Sequence, residues 1–178
     1  MMEGASKDRQ SITSDWVPLI KTIDGVRIRE VKNVPKSNGV LTEVFRTDWG
    51  LDEGIVQQVF QTTMVPGGLS AWHVHMLSTD RLFVSQGLLK IVLFDARESS
   101  PSRGCVNEFC FGTQRPALVV VPPGVWHGVQ NIGGEPALLL NLVDRAYRYE
   151  DPDHWRLPPA TPQIPYSFAT GPLTDGLR

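Results

Sequence analysis

His73 and His75 stand two residues apart within GGLSAWHVHMLSTDRLFVSQG, residues 67–87, and a carboxylate, Asp80, follows five residues after the second of them. On a strand, residues i and i+2 project from one face, so both imidazoles enter the same space. A third, His127, sits in VPPGVWHGVQN behind a Pro-Pro-Gly turn. Neutral imidazoles beside a carboxylate support two kinds of chemistry. They can take and return protons near neutral pH, or they can ligate a divalent transition metal. The chain has four histidines in all. The fourth, His154 in DPDHW, is expected on the surface of a short helical turn at 153–155 and not in this group.

The elements that must hold these residues read as strands. Residues 26–31 alternate apolar and charged side chains after the Asp24-Gly25 turn signal, as a half-buried strand does. Asn38-Gly39 marks a second turn, and 40–45 and 55–65 read as strands before Pro66-Gly67-Gly68 breaks the chain. Residues 82–85 and 88–94 flank Gln86-Gly87 as a strand pair, and 98–104 (ESSPSRG) is a loop by composition. Residues 117–121 form a continuous apolar run, the pattern of a strand buried on both faces. Pro122-Pro123-Gly124 turns the chain toward His127, and Gly133-Gly134 leads into another apolar run at 137–143. Trp72 and Trp126 each precede a site histidine, and alternation assigns them to the opposite face, in core packing. Even strand spacing with no sustained 3.6-residue pattern predicts an all-β sandwich or barrel, best matched by a double-sheet jelly roll. Three segments are expected: 1–15 disordered or loosely attached, 16–157 a β-barrel domain, and 158–178 a Pro-rich arm.

At 178 residues the chain suits one domain with a sizeable core. Charged residues make up 20% of it and the net charge is −2, which argues against nucleic acid or an anionic membrane as partner. The first fifteen residues have no apolar centre, so no signal peptide is expected. No apolar run reaches the roughly 18 residues of a membrane span. Cys105 and Cys110 fit no zinc spacing and make no disulfide framework; as reduced thiols they imply a cytoplasmic setting.

Gly67, His73, His75, Asp80 and Gly87 resemble the first motif of the cupins: Gly, five residues, His-x-His, four residues, an acid, six residues, Gly. The acid is usually Glu. Pro122, Gly124, His127 and Asn131 resemble the second motif, with Pro116 where a leading Gly is usual. A narrower resemblance spans roughly residues 37–157. NGVLTEVF at 38–45, SSPSRG, PPGVWHG and Tyr147 are similar to the dTDP-4-dehydrorhamnose 3,5-epimerase family, itself a cupin fold.

That resemblance implies a metal-free homodimer acting on a nucleotide-linked 4-keto-6-deoxy sugar. In the family a histidine, oriented by an aspartate, removes a proton α to the ketone and a tyrosine opposite returns one, while an arginine and a lysine stabilise the enolate. His73 matches the base, and Arg81 falls near the lysine. His127 matches a substrate-contacting histidine; Glu43 and Tyr147 match positions at the nucleotide end. Ser70 stands where the family has its arginine, and Asn141 where it has its tyrosine, which leaves Tyr147, Tyr149 or Asp80 to stand in as acid. The implied catalytic set is His73, Asp80, Arg81 and Tyr147, with Glu43, His127 and Asn141 binding substrate. Arg97, Arg103 and Arg115 are expected in solvated roles, not as phosphate ligands.

Two other readings stay open. His73, His75, Asp80 and His127 could together ligate Fe, Mn, Ni or Zn, for which imidazole is a suitable donor, in an isomerase or dioxygenase. A sugar-binding cupin without catalysis is the third, since one fold hosts unrelated functions.

Overall fold

Short runs of Val, Ile, Leu and Phe between Gly- and Pro-containing turns become strands along the whole chain. The computed structural model describes every residue except 1, 3, 4, 6, 8, 9, 16, 53, 54, 170 and 173–178. Its strands are β1 (Arg27–Glu30), β2 (Asn33–Lys36), β3 (Gly39–Thr42), β4 (Gln58–Met64), β5 (Leu69–Val74), β6 (Asp80–Gln86), β7 (Leu88–Asp95), β8 (Val106–Gly112), β9 (Ala117–Val121), β10 (Val125–Asn131), β11 (Ala137–Val143), β12 (Trp155–Arg156), β13 (Tyr166–Ser167) and β14 (Gly171–Pro172). Helix among the described residues amounts to one 3-10 turn, Thr47–Trp49, and none of them forms a helix long and apolar enough to cross a membrane.

Two five-stranded antiparallel sheets, β1-β9-β6-β11-β4 and β12-β5-β10-β7-β8, face each other as a jelly roll. Their inner faces supply the main core, including Leu82, Val84, Ile91, Leu93, Val119 and Val129. The alternate residues are buried as well. Phe83 and Leu118 pack outside the first sheet under Phe45 and Trp49. Val92 and Phe94 pack outside the second, under Ile164, Tyr166 and Phe168. Both faces are therefore covered at the inner strands, which is why β9 reads as an unbroken apolar run and is buried at every residue. Trp72 and Trp126 join the outer layer of the second sheet, as alternation requires.

The Pro-rich C-terminal segment contributes Ile164, Tyr166 and Phe168 to that layer. At the other end, the described residues up to Lys21 are mostly exposed, held by a bridge between Ile12 and Pro18; Trp16, expected to begin the ordered domain, lies outside the described residues. The helical turn expected at 153–155 is replaced by an irregular Asp153-His154 leading into the strand Trp155–Arg156. Trp155 pairs with Val74 and Arg156 with His73, and Leu157 exchanges both backbone hydrogen bonds with Trp72, at 2.9 and 3.1 Å. The free edge of β5 offered a ladder that these residues complete, and flanking prolines had no helix to break.

Candidate active site

Three adjacent strands carry one row of side chains. β12 places Arg156 opposite His73 on β5, and β5 places His73 opposite His127 on β10. Directly paired residues share a face, so the row points into the space between the sheets. His75 continues β5 by one pleat and holds the turn before β10, its carbonyl accepting from the Gly124 N–H at 2.7 Å. Gly124 is left-handed there, with φ of +80°, a conformation open to glycine at little cost. The chain thus turns in time to deliver His127.

The fourth histidine joins the group. His154 stacks its ring 4.8 Å from that of His73 and 4.9 Å from that of His75, while His127 lies 5.8 and 5.5 Å from the same two. Asp153 holds this segment down, its carboxylate accepting from the N–H groups of Met76, Leu77 and Ser78 at 2.8, 2.8 and 2.9 Å. Burial alone would raise the Asp153 carboxyl; those three donors keep it below its ordinary range.

At the centre is Asp80, 2% exposed. Its Oδ1 accepts from the Asn141 amide at 2.8 Å. Its Oδ2 has no donor but lies 3.3 Å from His75 Nε2 and 3.2 Å from His127 Nε2. The opposite ring nitrogens fix the tautomers. His127 Nδ1 faces the Val125 carbonyl at 3.3 Å, and His75 Nδ1 faces the Asp153 carbonyl. Carbonyls only accept, so Nδ1 carries the proton in each ring and each Nε2 turns a lone pair toward Asp80. Burial lowers the affinity of His127 for a second proton, against the pull of Asp80.

His73 is arranged differently. Its Nε2 receives a hydrogen bond from Arg156 Nη1 at 3.0 Å and lies 3.3 Å from the Ser70 hydroxyl. Guanidinium only donates, so His73 also carries its proton on Nδ1. Burial, reinforced by His127, Arg156, His154 and His75, lowers its pKa to about 3. Burial and the neighbouring His75 and Arg156 lower that of His154 to about 4. Both rings are neutral at physiological pH.

Beside the cluster opens a cavity of about 1110 Å³, with His75, Asp80, Arg145, Tyr147, Arg148 and His154 in its wall. His73 is not part of the wall; its ring packs against that of His154. His127 and Asn141, expected to touch substrate, are each 6% exposed and touch Asp80.

Two expected positions are corrected. Arg81 does not face the histidines: its guanidinium bonds Asp52 at 2.6 and 2.7 Å and the Leu142 carbonyl at 3.3 Å, over the Phe45 ring. Asp80 and Arg81 are neighbours on a strand, so when one points inward the other points outward. Glu43 is exposed, pairs with Arg46 and is no part of the cavity wall. Of the three arginines expected to be solvated, Arg97 belongs to a structural knot with Asp95, Ser100 and the Asp24 carbonyl, and Arg115 pairs with Glu30. Sequence reasoning missed His154, Asp153 and Arg156. A usable signal was present, because His154 and Arg156 repeat the i, i+2 spacing of His73 and His75.

The cupin family model matches residues 29–153, well over half of the chain. The chain belongs to the cupin family. This cupin is 34% identical over 137 residues to Agl13 of Haloferax volcanii, described as a probable low-salt glycan biosynthesis epimerase, covering 76% of the chain and 88% of the relative. It is 30% identical over 136 residues to the spore coat polysaccharide biosynthesis protein SpsL of Bacillus subtilis, covering 76% and 89%. Among solved structures, it superposes on the dTDP sugar isomerase of Desulfovibrio desulfuricans G20 with a TM-score of 0.78 and 29% identity, covering 85% of this chain and 95% of that one. The cupin's two motifs are the segments that bring His73, His75, Asp80 and His127 together.

Proposed function

We infer that this cupin is an epimerase or isomerase of a nucleotide-linked 4-keto-6-deoxy sugar. One relative, Agl13, is described as a probable glycan biosynthesis epimerase and the structural neighbour as a dTDP sugar isomerase. The observation that carries the reading is a neutral imidazole, His73, with its Nε2 lone pair beside a guanidinium. A carbon acid α to a ketone needs a positioned base of that kind. At about 1110 Å³ the cavity lies just above the ~300–1,000 Å³ usual for ligand pockets, enough for a sugar nucleotide. Tyr147, on its wall, is the group we assign to return the proton.

Two further assignments accompany this reading. A homodimer is supported by apolar side chains left exposed on the β2–β3 hairpin and on β4, among them Val40, Leu41 and Val59. A cytoplasmic setting is supported by two free thiols, Cys105 and Cys110. The test is incubation with dTDP-4-keto-6-deoxyglucose in D2O. Deuterium should enter at C3, C5 or both, and His73→Ala should abolish it. Wild-type protein that incorporates none overturns the reading.

A second reading is favoured by one observation, the buried Asp80 Oδ2 without a donor between two Nε2 lone pairs. Three acceptors converging without a proton fit a divalent transition ion, and the backbone carbonyls on Nδ1 are the usual outer partners of such ligands. His75, Asp80 and His127 would hold it; when bound it would supply Lewis acidity. Near-stoichiometric metal by elemental analysis, lost in His75→Ala, supports this reading. Metal-free protein with no affinity above that of the variant removes it.

A further inference from the structure

Resting on the epimerase reading, we propose that Arg156 is a catalytic residue of this protein: its guanidinium, which caps the lone pair of His73, transfers to the substrate's ketone oxygen, where it carries the charge of the enolate.

Proton abstraction α to a ketone leaves negative charge on oxygen, and a preorganised cation there is worth a large part of the rate. The cations nearest in sequence cannot serve. Arg81 is buried on the other face of β6 and bound to Asp52 and Leu142, and Ser70 has no charge. Arg145 donates to the Leu77 carbonyl and Arg148 approaches Asp151, both in the cavity wall. Arg156 is the cation that the hydrogen bonds place on the histidine cluster, at 3.0 Å from His73 Nε2. Its position is set by the β12–β5 ladder in register with His73, not by a loop.

One contact explains both halves of the role. While Arg156 donates to Nε2, that nitrogen cannot accept a proton from carbon. A ketone oxygen is a second acceptor for the same guanidinium, and when it takes the hydrogen bond the base is released beside the α-carbon. The C–H bond then breaks, its proton goes to His73 Nε2, and its electron pair forms the enolate double bond while the carbonyl pair moves to oxygen. Reprotonation of carbon, by Tyr147 or water, reverses that shift. His73 then gives up its Nε2 proton to water, which also reprotonates the Tyr147 oxygen where that residue was the donor. The guanidinium returns to the freed Nε2 lone pair.

The experiment measures deuterium incorporation from D2O into dTDP-4-keto-6-deoxyglucose by wild type, Arg156→Ala, Arg156→Lys and Arg156→Ala with guanidinium chloride below denaturing levels. We expect Arg156→Ala to lose on the order of 10²–10³-fold in kcat, with KM changed far less. Partial recovery is expected with lysine and with free guanidinium; a merely structural arginine would not be replaced by the free ion. Circular dichroism confirms folding of each variant, and Arg156→Lys keeps the test decisive if the alanine variant unfolds. Exchange at the wild-type rate in a folded Arg156 variant overturns the assignment while leaving the epimerase reading intact. Absence of exchange in wild type overturns both.

Discussion

The two faces of β5 differ as sharply as any two regions of the molecule. On one face Trp72 and Val74 are closed in, the indole edge-on to Tyr166 at 6.0 Å and tilted against Phe168 at 5.0 Å. On the other, one residue along in each case, His73 and His75 meet two more imidazoles, a carboxylate and a guanidinium. The first face is governed by apolar burial and is nearly indifferent to pH. The second crowds polar and charged groups together, including a carboxylate oxygen and a His154 Nε2 that are buried without partners. Unsatisfied buried polar atoms are costly; the apolar face carries one, Trp72 Nε1, against two here, so this face costs stability that apolar burial on the opposite face supplies. A single strand therefore separates what holds the fold from what does the chemistry.

The largest effect should come from the apolar face. Trp72→Ala should cost about 3–5 kcal/mol of stability, read as a lower urea midpoint with an unchanged slope. His73→Ala should cost about 1 kcal/mol or less while abolishing deuterium exchange. Comparable destabilisation by the two would break the division between faces.

A smaller effect should follow from loosening the segment that lies over the histidines. Asp153→Ala removes one acceptor from three N–H groups, of which Met76 and Leu77 belong to exposed residues that water can reach. A loss of about 1–2 kcal/mol is expected. Hydrogen exchange should quicken at Met76, Leu77 and Ser78 but not at Trp72. Uniform acceleration across β5 would show that the two faces open as one unit.

One effect is absent at neutral pH and grows with acid: titration. His73 and His154 have folded-state pKa values lowered to about 3 and about 4 from an ordinary 6.5. Between those values the unfolded chain binds more protons than the folded one, so stability falls with acid. The contribution is whole above pH 6.5 and is lost progressively as pH drops toward 3. Urea midpoints measured over that range should decline less steeply in a His73→Asn, His154→Asn double variant. An unaltered slope would show that these rings are not the titrating groups.

Much of this was legible in the chain because it depended on local spacing. The His-x-His pair and the Pro-Pro-Gly turn before His127 are enough to bring three imidazoles to one space, and the run at 117–121 is buried on both faces as its composition requires. The outward turn of Arg81 was equally legible, since Asp80 beside it must face the other way. What was hidden is the placement of residues 153–157. Two residues of strand carry too little pattern to be recognised, and Pro152 and Pro158 read as breaks when they only bound the segment. The pairing of that segment with β5 depends on an open sheet edge far away in sequence, which no local window contains.

The brevity of β12 gives the site an odd-or-even rule. With Trp155 and Arg156 as its whole length, one residue gained between Asp153 and Trp155 would put the indole, and one residue lost the Leu157 side chain, in place of the guanidinium beside the imidazole row. Two residues would restore it one pleat along. Natural changes of length in this stretch should therefore come in pairs wherever the arginine's position is kept.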